Sequence, residues 1–122
     1  MNVLLIEDDP IVMLGARQAL QLADMRVQEA ASVEAAMQLV AQACPAAILS
    51  DVRLPDEDGF ELLKRMQALD REVPVILMTG HGDIRMAVEA MHLGAYDFLE
   101  KPFSSERLVE VMRRALEKRQ LV

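Results

Sequence analysis

Four separate places in this chain put a residue that could do chemistry at the end of an apolar run. Glu7, Asp8 and Asp9 follow Val3-Leu4-Leu5-Ile6, and Asp51 follows Ala46-Ala47-Ile48-Leu49-Ser50. Thr79-Gly80 follows Val73-Pro74-Val75-Ile76-Leu77-Met78, and Lys101-Pro102 follows Ala95-Tyr96-Asp97-Phe98-Leu99-Glu100. Carboxylates gathered in one place raise each other's pKa unless a cation joins them. Oxygen-only ligands with room for water favour Mg²⁺, an octahedral ion often held by one or two carboxylates plus phosphate. Lys101 offers a second positive point, Thr79 a hydroxyl donor, and a spare carboxylate a nucleophile that can form an aspartyl phosphate. Phosphoryl transfer asks a protein mainly for positioning and charge neutralisation, which these residues can provide. Singly, each has a plainer explanation. A strand-end Asp is usually a turn residue or a cap, Glu7-Asp8-Asp9 would complement a helix dipole, and Lys101 would be a solvated loop residue. Their joint occurrence is the argument for a site.

The elements that must position them recur as a short apolar run followed by a longer amphipathic one. Runs without polar alternation suit strands buried on both faces. Val3–Ile6, Ala46–Ser50 and Val73–Met78 are of that kind, whereas the more polar Arg26–Ala30 and the alternating Ala95–Leu99 read as edges. Between them, Ile11, Leu14, Ala16, Leu20 and Leu22 predict a first helix with Pro10 in its first turn. Ser32 caps a second over Val33–Ala43, with Ala36, Met37, Leu39 and Val40 apolar. Phe60, Leu63, Met66 and Leu69 mark a third. Asp83 caps a fourth carrying Met86, Val88, Ala90 and Met91, which Gly94 ends. A fifth starts at Ser104 or Ser105 and runs towards Arg119. Five β-α units imply a doubly wound parallel sheet, an α/β flavodoxin-like fold in the order 2-1-3-4-5. Ligands of such sheets bind outside the carboxyl ends of the strands, near the switch between strands 1 and 3. The scattered residues then converge.

Composition narrows the classes. The 122 residues fit one domain with its own core. A net charge of −7 argues against binding nucleic acid or anionic membrane through the overall field. The single Cys44 excludes an internal disulfide and a Cys-rich zinc site. No apolar run approaches the ~20 residues of a membrane span, and the first residues lack signal-peptide features, so the expected location is the cytoplasm.

The combination Glu7-Asp8, Asp51, Thr79-Gly80 and Lys101-Pro102-Phe103 resembles the receiver domain of two-component response regulators over essentially the whole chain. Leu54-Pro55-Asp56-Glu57-Asp58-Gly59 matches that family's loop before helix 3. The resemblance implies that Asp51 accepts a phosphoryl group from a sensor histidine kinase with Mg²⁺ as cofactor. It makes Asp8 the main acidic metal ligand, Glu7 its partner and the Arg53 backbone carbonyl a further ligand. Asp9 falls just outside the pair. Thr79 matches the hydroxyl that bonds the phosphoryl oxygen, Lys101 the lysine that pairs with it, and Phe98 the switch aromatic. Tyr96 does not match that position, so a switch at Phe98 works by packing alone. Arg53 and His81 occupy positions that tune dephosphorylation. Thr79-Gly80-His81-Gly82-Asp83-Ile84 and Gly94 to Phe103 are most similar to receivers of the NtrC-like class, which regulate σ54-dependent transcription, and within it to regulators of dicarboxylate transport.

The same resemblance makes residues 1–122 a receiver domain whose last residues, about 115–122, start a linker to output domains. The alternative is a stand-alone receiver. From Ser104 onward five basic residues face three acids, and Leu108, Val111, Met112, Ala115 and Leu116 are expected to cover both core and a dimer surface. The implied homodimer uses helix 4, strand 5 and helix 5. The domain is expected to bind neither nucleic acid nor membrane, and to act as a signalling phosphoacceptor without being an enzyme. A haloacid-dehalogenase-like phosphatase is disfavoured because Arg53 stands where those enzymes carry an aspartate. A flavin or dinucleotide binder would need a Gly-rich or hydroxyl-rich loop where Glu7-Asp8-Asp9 stands.

Overall fold

The computed structural model describes residues 2–70, 72–80 and 84–121. Ten elements alternate: β1 (Asn2–Ile6), α1 (Pro10–Leu22), β2 (Arg26–Ala30), α2 (Val33–Gln42), β3 (Ala47–Asp51), α3 (Gly59–Leu69), β4 (Val75–Thr79), α4 (Ile84–His92), β5 (Asp97–Glu100) and α5 (Ser105–Leu121). The strands form one parallel sheet in the order β2-β1-β3-β4-β5, as expected.

Strand geometry explains the uninterrupted apolar runs. Successive side chains point to opposite faces, so Val3, Leu5, Ala47, Leu49, Ile76 and Met78 enter one core with α1 and α5. Leu4, Ile6, Ile48, Val75 and Leu77 enter a second core with α2 and α3. Helices cover both faces, so neither set can be polar. The outer strands differ: β2 and β5 are buried only in part, in keeping with their edge positions.

Helix registers were less legible. In α1 the buried residues are Met13, Ala16 and Leu20, while Ile11 and Leu22 are 81% and 88% exposed. This helix carries two apolar stripes, and periodicity does not say which one meets the sheet. In α3, Leu62, Leu63 and Met66 are buried but Leu69 is 64% exposed. Each three-residue step falls about 60° short of a full turn, so Leu69 lies about half a turn from Phe60. In α4, Ala87 and Ala90 face the core, and Val88 and Met91 face out. Leu108, Val111, Met112, Ala115 and Leu116 are all buried in the first core. They therefore provide no dimer surface, contrary to expectation, because α5 turns them inward against the sheet and α1.

Caps follow the sequence where partners are local. Asp9 accepts from Ile11 N–H (2.9 Å) ahead of Pro10, Ser32 accepts from Ala35 N–H (3.1 Å), and Ser104, not Ser105, accepts from Arg107 N–H (3.0 Å). Asp83, the expected cap of α4, lies outside the described residues. Gly94 closes α4 at φ +99°, donating to the Met91 carbonyl (3.1 Å), while Ala95 N–H returns to Ala90 (2.9 Å). A Cβ at Gly94 would also run into the Gln67 side chain. Gly94→Ala should therefore cost about 1–2 kcal/mol, since this backbone region disfavours L side chains. Urea unfolding checks it: an unchanged midpoint would contradict this account.

Candidate functional site

Three strand ends meet at the carboxyl edge of the sheet. β1 ends at Ile6 and delivers Glu7 and Asp8. Its neighbour β3 ends at Asp51, and oxygens of Glu7, Asp8 and Asp51 can lie within 4.8 Å of one another. β5 ends at Glu100 and delivers Lys101, whose Nζ donates to Asp51 Oδ2 at 2.9 Å and lies 3.4 Å from Glu7 Oε2. The backbone N–H of Lys101 donates to the Thr79 carbonyl (2.8 Å), so β4 holds the lysine in place. The Lys101–Pro102 peptide is cis.

Burial grades the three acids. Glu7 is 2% exposed, Asp51 is half-buried and Asp8 is open to solvent. Desolvation, reinforced by neighbouring Asp51, pushes the Glu7 carboxyl up to about 7, against the lowering pull of Lys101. Lys101 itself is raised: burial pulls it down, but Asp51 and Glu7 together outweigh that. The donor set fits a hard divalent cation. It contains only oxygens, it combines a dry and a wet carboxylate, and its excess negative charge is offset by one ammonium.

The remaining expected residues are placed as follows. The Asp9 carboxylate caps α1 and is not among the grouped acids, while its N–H donates to Glu7 Oε1 at 3.3 Å. Arg53 is exposed, and its N–H donates to Asp51 Oδ1 at 3.3 Å. Thr79 is buried, with its hydroxyl donating over a long 3.5 Å to the Leu99 carbonyl. Phe98 is half-buried on β5 and walls a cavity of about 300 Å³ with Ala87, Val88, Met91 and His92. Tyr96 lies away from it, its ring 5.4 Å from Lys118 Nζ. His81 falls outside the described residues.

Two supporting residues were not anticipated. Asp58 caps α3 by accepting from Glu61 N–H (2.9 Å). The Asp-x-x-Glu spacing of a capping box was the available signal. Gly59 lets that helix press on the end of β3, for a Cβ there would sit 2.7 Å from the Asp51 carbonyl oxygen. No spacing rule reveals that close approach.

The raised Glu7 carboxyl has a signed consequence for the metal-free protein. The folded state binds this proton more tightly than the unfolded chain, whose carboxyl titrates near 4.5. Its stabilising contribution is whole below about 4.5 and lost as pH rises through about 7. In EDTA, the Tm should fall from pH 5.5 to pH 7.5 by several degrees, and Glu7→Gln should flatten that fall. Equal slopes in the two proteins would refute it.

The response regulator receiver domain family matches residues 3–113. The C4-dicarboxylate transport transcriptional regulatory protein DctD of Pseudomonas aeruginosa is 50% identical, over 99% of this chain and 26% of that protein. The nitrogen assimilation regulatory protein NtrX of Azorhizobium caulinodans is 36% identical, over 95% of this chain and 26% of that protein. The chain thus spans about a quarter of either regulator. The crystal structure of the receiver domain of NtrX from Brucella abortus superposes with a TM-score of 0.91 at 32% identity, covering 94% of this chain and 98% of that one. The acidic edge of this sheet therefore belongs to a receiver domain of a two-component response regulator, of the NtrC-like kind.

Proposed function

We propose that Asp51 accepts a phosphoryl group from a phosphohistidine of a sensor kinase, forming an aspartyl phosphate that switches the α4–β5 surface. One observation carries this reading: a lysine ammonium 2.9 Å from a half-buried aspartate, with two further carboxylates beside it. Lys101 occupies Asp51 Oδ2, and the Arg53 N–H approaches Oδ1. Attack by a carboxylate oxygen forms the O–P bond as the N–P bond to the donor imidazole breaks. Lys101 then pairs with the phosphoryl oxygens. Glu7, Asp8, Asp51 and the Arg53 carbonyl would hold Mg²⁺, which would neutralise phosphoryl charge. Arg53, beside Asp51, is a candidate for tuning its hydrolysis, and His81 is a second candidate by its sequence position alone.

The switch follows from Thr79. Its long bond to the Leu99 carbonyl is weak, so a phosphoryl oxygen is the stronger acceptor for its hydroxyl. Exchange frees the backbone next to Phe98, which has the adjoining cavity into which to repack. Phe98 carries no hydroxyl, so this response is one of packing. Such a device shifts an existing equilibrium between two arrangements. The exposed Ile84, Val88 and Met91 make α4–β5 the apolar part of a homodimer surface shared with α5. Transcriptional output at σ54 promoters belongs to domains joined through the end of α5. This domain itself is a cytoplasmic signalling phosphoacceptor that does not turn over outside substrates or bind nucleic acid, and no described helix is long and apolar enough to cross a membrane.

The kinase reaches Asp51 over α1. Ile11, Val12, Gly15, Phe103 and Leu108 line a cavity of about 550 Å³ that continues to Lys101. Incubation with Mg²⁺ and acetyl phosphate should yield a hydroxylamine-labile phosphoprotein. Label that resists hydroxylamine, or that persists in Asp51→Asn, would sink the proposal. Ile11→Asp should slow transfer from a sensor kinase by roughly ten-fold or more and leave acetyl phosphate labelling unchanged. Equal loss with both donors would place Ile11 in the site and not on the docking face.

A further inference from the structure

The loop joining β3 to α3 is tied down at both ends by groups outside it. At the inner end, Val52 N–H donates to the Met78 carbonyl (3.1 Å) and Gly59 N–H to the Val52 carbonyl (2.7 Å). At the outer end, Asp56 reaches across to another helix. Its Oδ1 accepts from Val33 N–H at 3.0 Å and its Oδ2 from Glu34 N–H at 2.9 Å, the first two residues of α2. Oδ1 also takes the loop's own Glu57 N–H at 2.9 Å. Next to it, the Glu57 carboxylate pairs with Arg65 of α3 at 2.9 Å. The short arch Arg53-Leu54-Pro55 is therefore suspended between two anchors, and Leu54 packs on the second core. Pro55 narrows its backbone freedom further. The arch carries the N–H that donates to Asp51 Oδ1.

Helix α2 already has a local cap in Ser32, which serves Ala35 N–H. Val33 and Glu34 N–H stand at the start of a helix, where water could replace a side-chain acceptor. What Asp56 adds is position: it joins the loop to an element 22 residues away in sequence. The hydrogen bonds from α2 also hold its carboxyl below the ordinary range, so it is ionised and charge-assisted in the working range.

We propose that Asp56 is a positioning residue for the phosphoacceptor: by pinning the β3–α3 loop to the first turn of α2, it holds the Arg53 backbone against Asp51 and sets how fast a phosphoryl group is gained and lost there. This rests on Asp51 being the acceptor. The role lies in the tie between loop and helix, not in the stability of α2.

Four variants of the 122-residue chain test it, with acetyl phosphate and saturating Mg²⁺. Asp56→Ala should change the labelling rate or the phosphoryl lifetime by on the order of ten-fold, as loss of an outer-shell support does. It should also speed hydrogen exchange at the Arg53 amide. Asp56→Asn keeps one acceptor oxygen and should fall between the two. Ser32→Ala weakens the same helix without cutting the tie, and should leave both rates within about two-fold, an ordinary cap loss being modest. Equal effects of Ser32→Ala and Asp56→Ala would overturn the proposal. So would wild-type rates and wild-type Arg53 exchange in Asp56→Ala. Asp51→Asn separates the two ideas: labelling that survives it defeats the acceptor reading, whereas Asp51-dependent labelling indifferent to Asp56 defeats only the brace.

Discussion

Glu7 is buried beside a second carboxylate, and an ionised acid in that position is costly without a cation. The lysine that offsets it comes from the far edge of the sheet: Lys101 follows β5, Glu7 follows β1, and β3 and β4 lie between. In the 2-1-3-4-5 order β3 stands beside β1, so one long side chain leaning in from the β5 edge touches both acids. The charge balance thus depends on how the strand ends are arranged. The Thr79 carbonyl, by holding the Lys101 N–H, makes β4 part of the same arrangement.

The supports beneath the acids are stiff for a plain reason. Asp51 ends a strand whose preceding residues are sealed between two cores, and α3 begins directly against its carbonyl because Gly59 has no Cβ. The looser contacts lie at the rim, where buried Thr79 makes only a long hydroxyl bond and Phe98 is half-buried. Thr79 and Phe98 sit at the β4–β5 edge, next to a cavity and the exposed side of α4. A stiff Asp51 and a yielding rim are what the proposed phosphorylation switch needs, since a localised charge change must bias an element that has somewhere to go.

Two apolar surfaces flank this edge. The stripe of α1 that the sheet leaves uncovered runs through Ile11, Leu14 and Leu22, and α4 exposes Ile84, Val88 and Met91. In α4 the small Ala87 and Ala90 meet the core, whereas in α1 Met13, Ala16 and Leu20 do. The exposed apolar side chains of both helices are surplus to that packing. In α5, by contrast, Leu108, Val111, Met112, Ala115 and Leu116 are inside and Val109 is partly buried.

The strands, their order and the residues at their ends were legible in the sequence, because a strand buried on both faces must be apolar throughout and must stop where a charge begins. Helix caps were legible wherever donor and acceptor lie within three residues, as at Ser32 and Ser104. The face each helix turns to the sheet was not. Periodicity locates apolar stripes, but in α1 two stripes compete and only packing chose Met13, Ala16 and Leu20. The support of the site was hidden for a related reason. Asp56 meets its partners across 22 residues, Gly59 matters through one close approach, and Lys101 meets Glu7 across 94. Chemistry that depends on residue type was written locally, whereas chemistry that depends on distance came into being only when the chain folded.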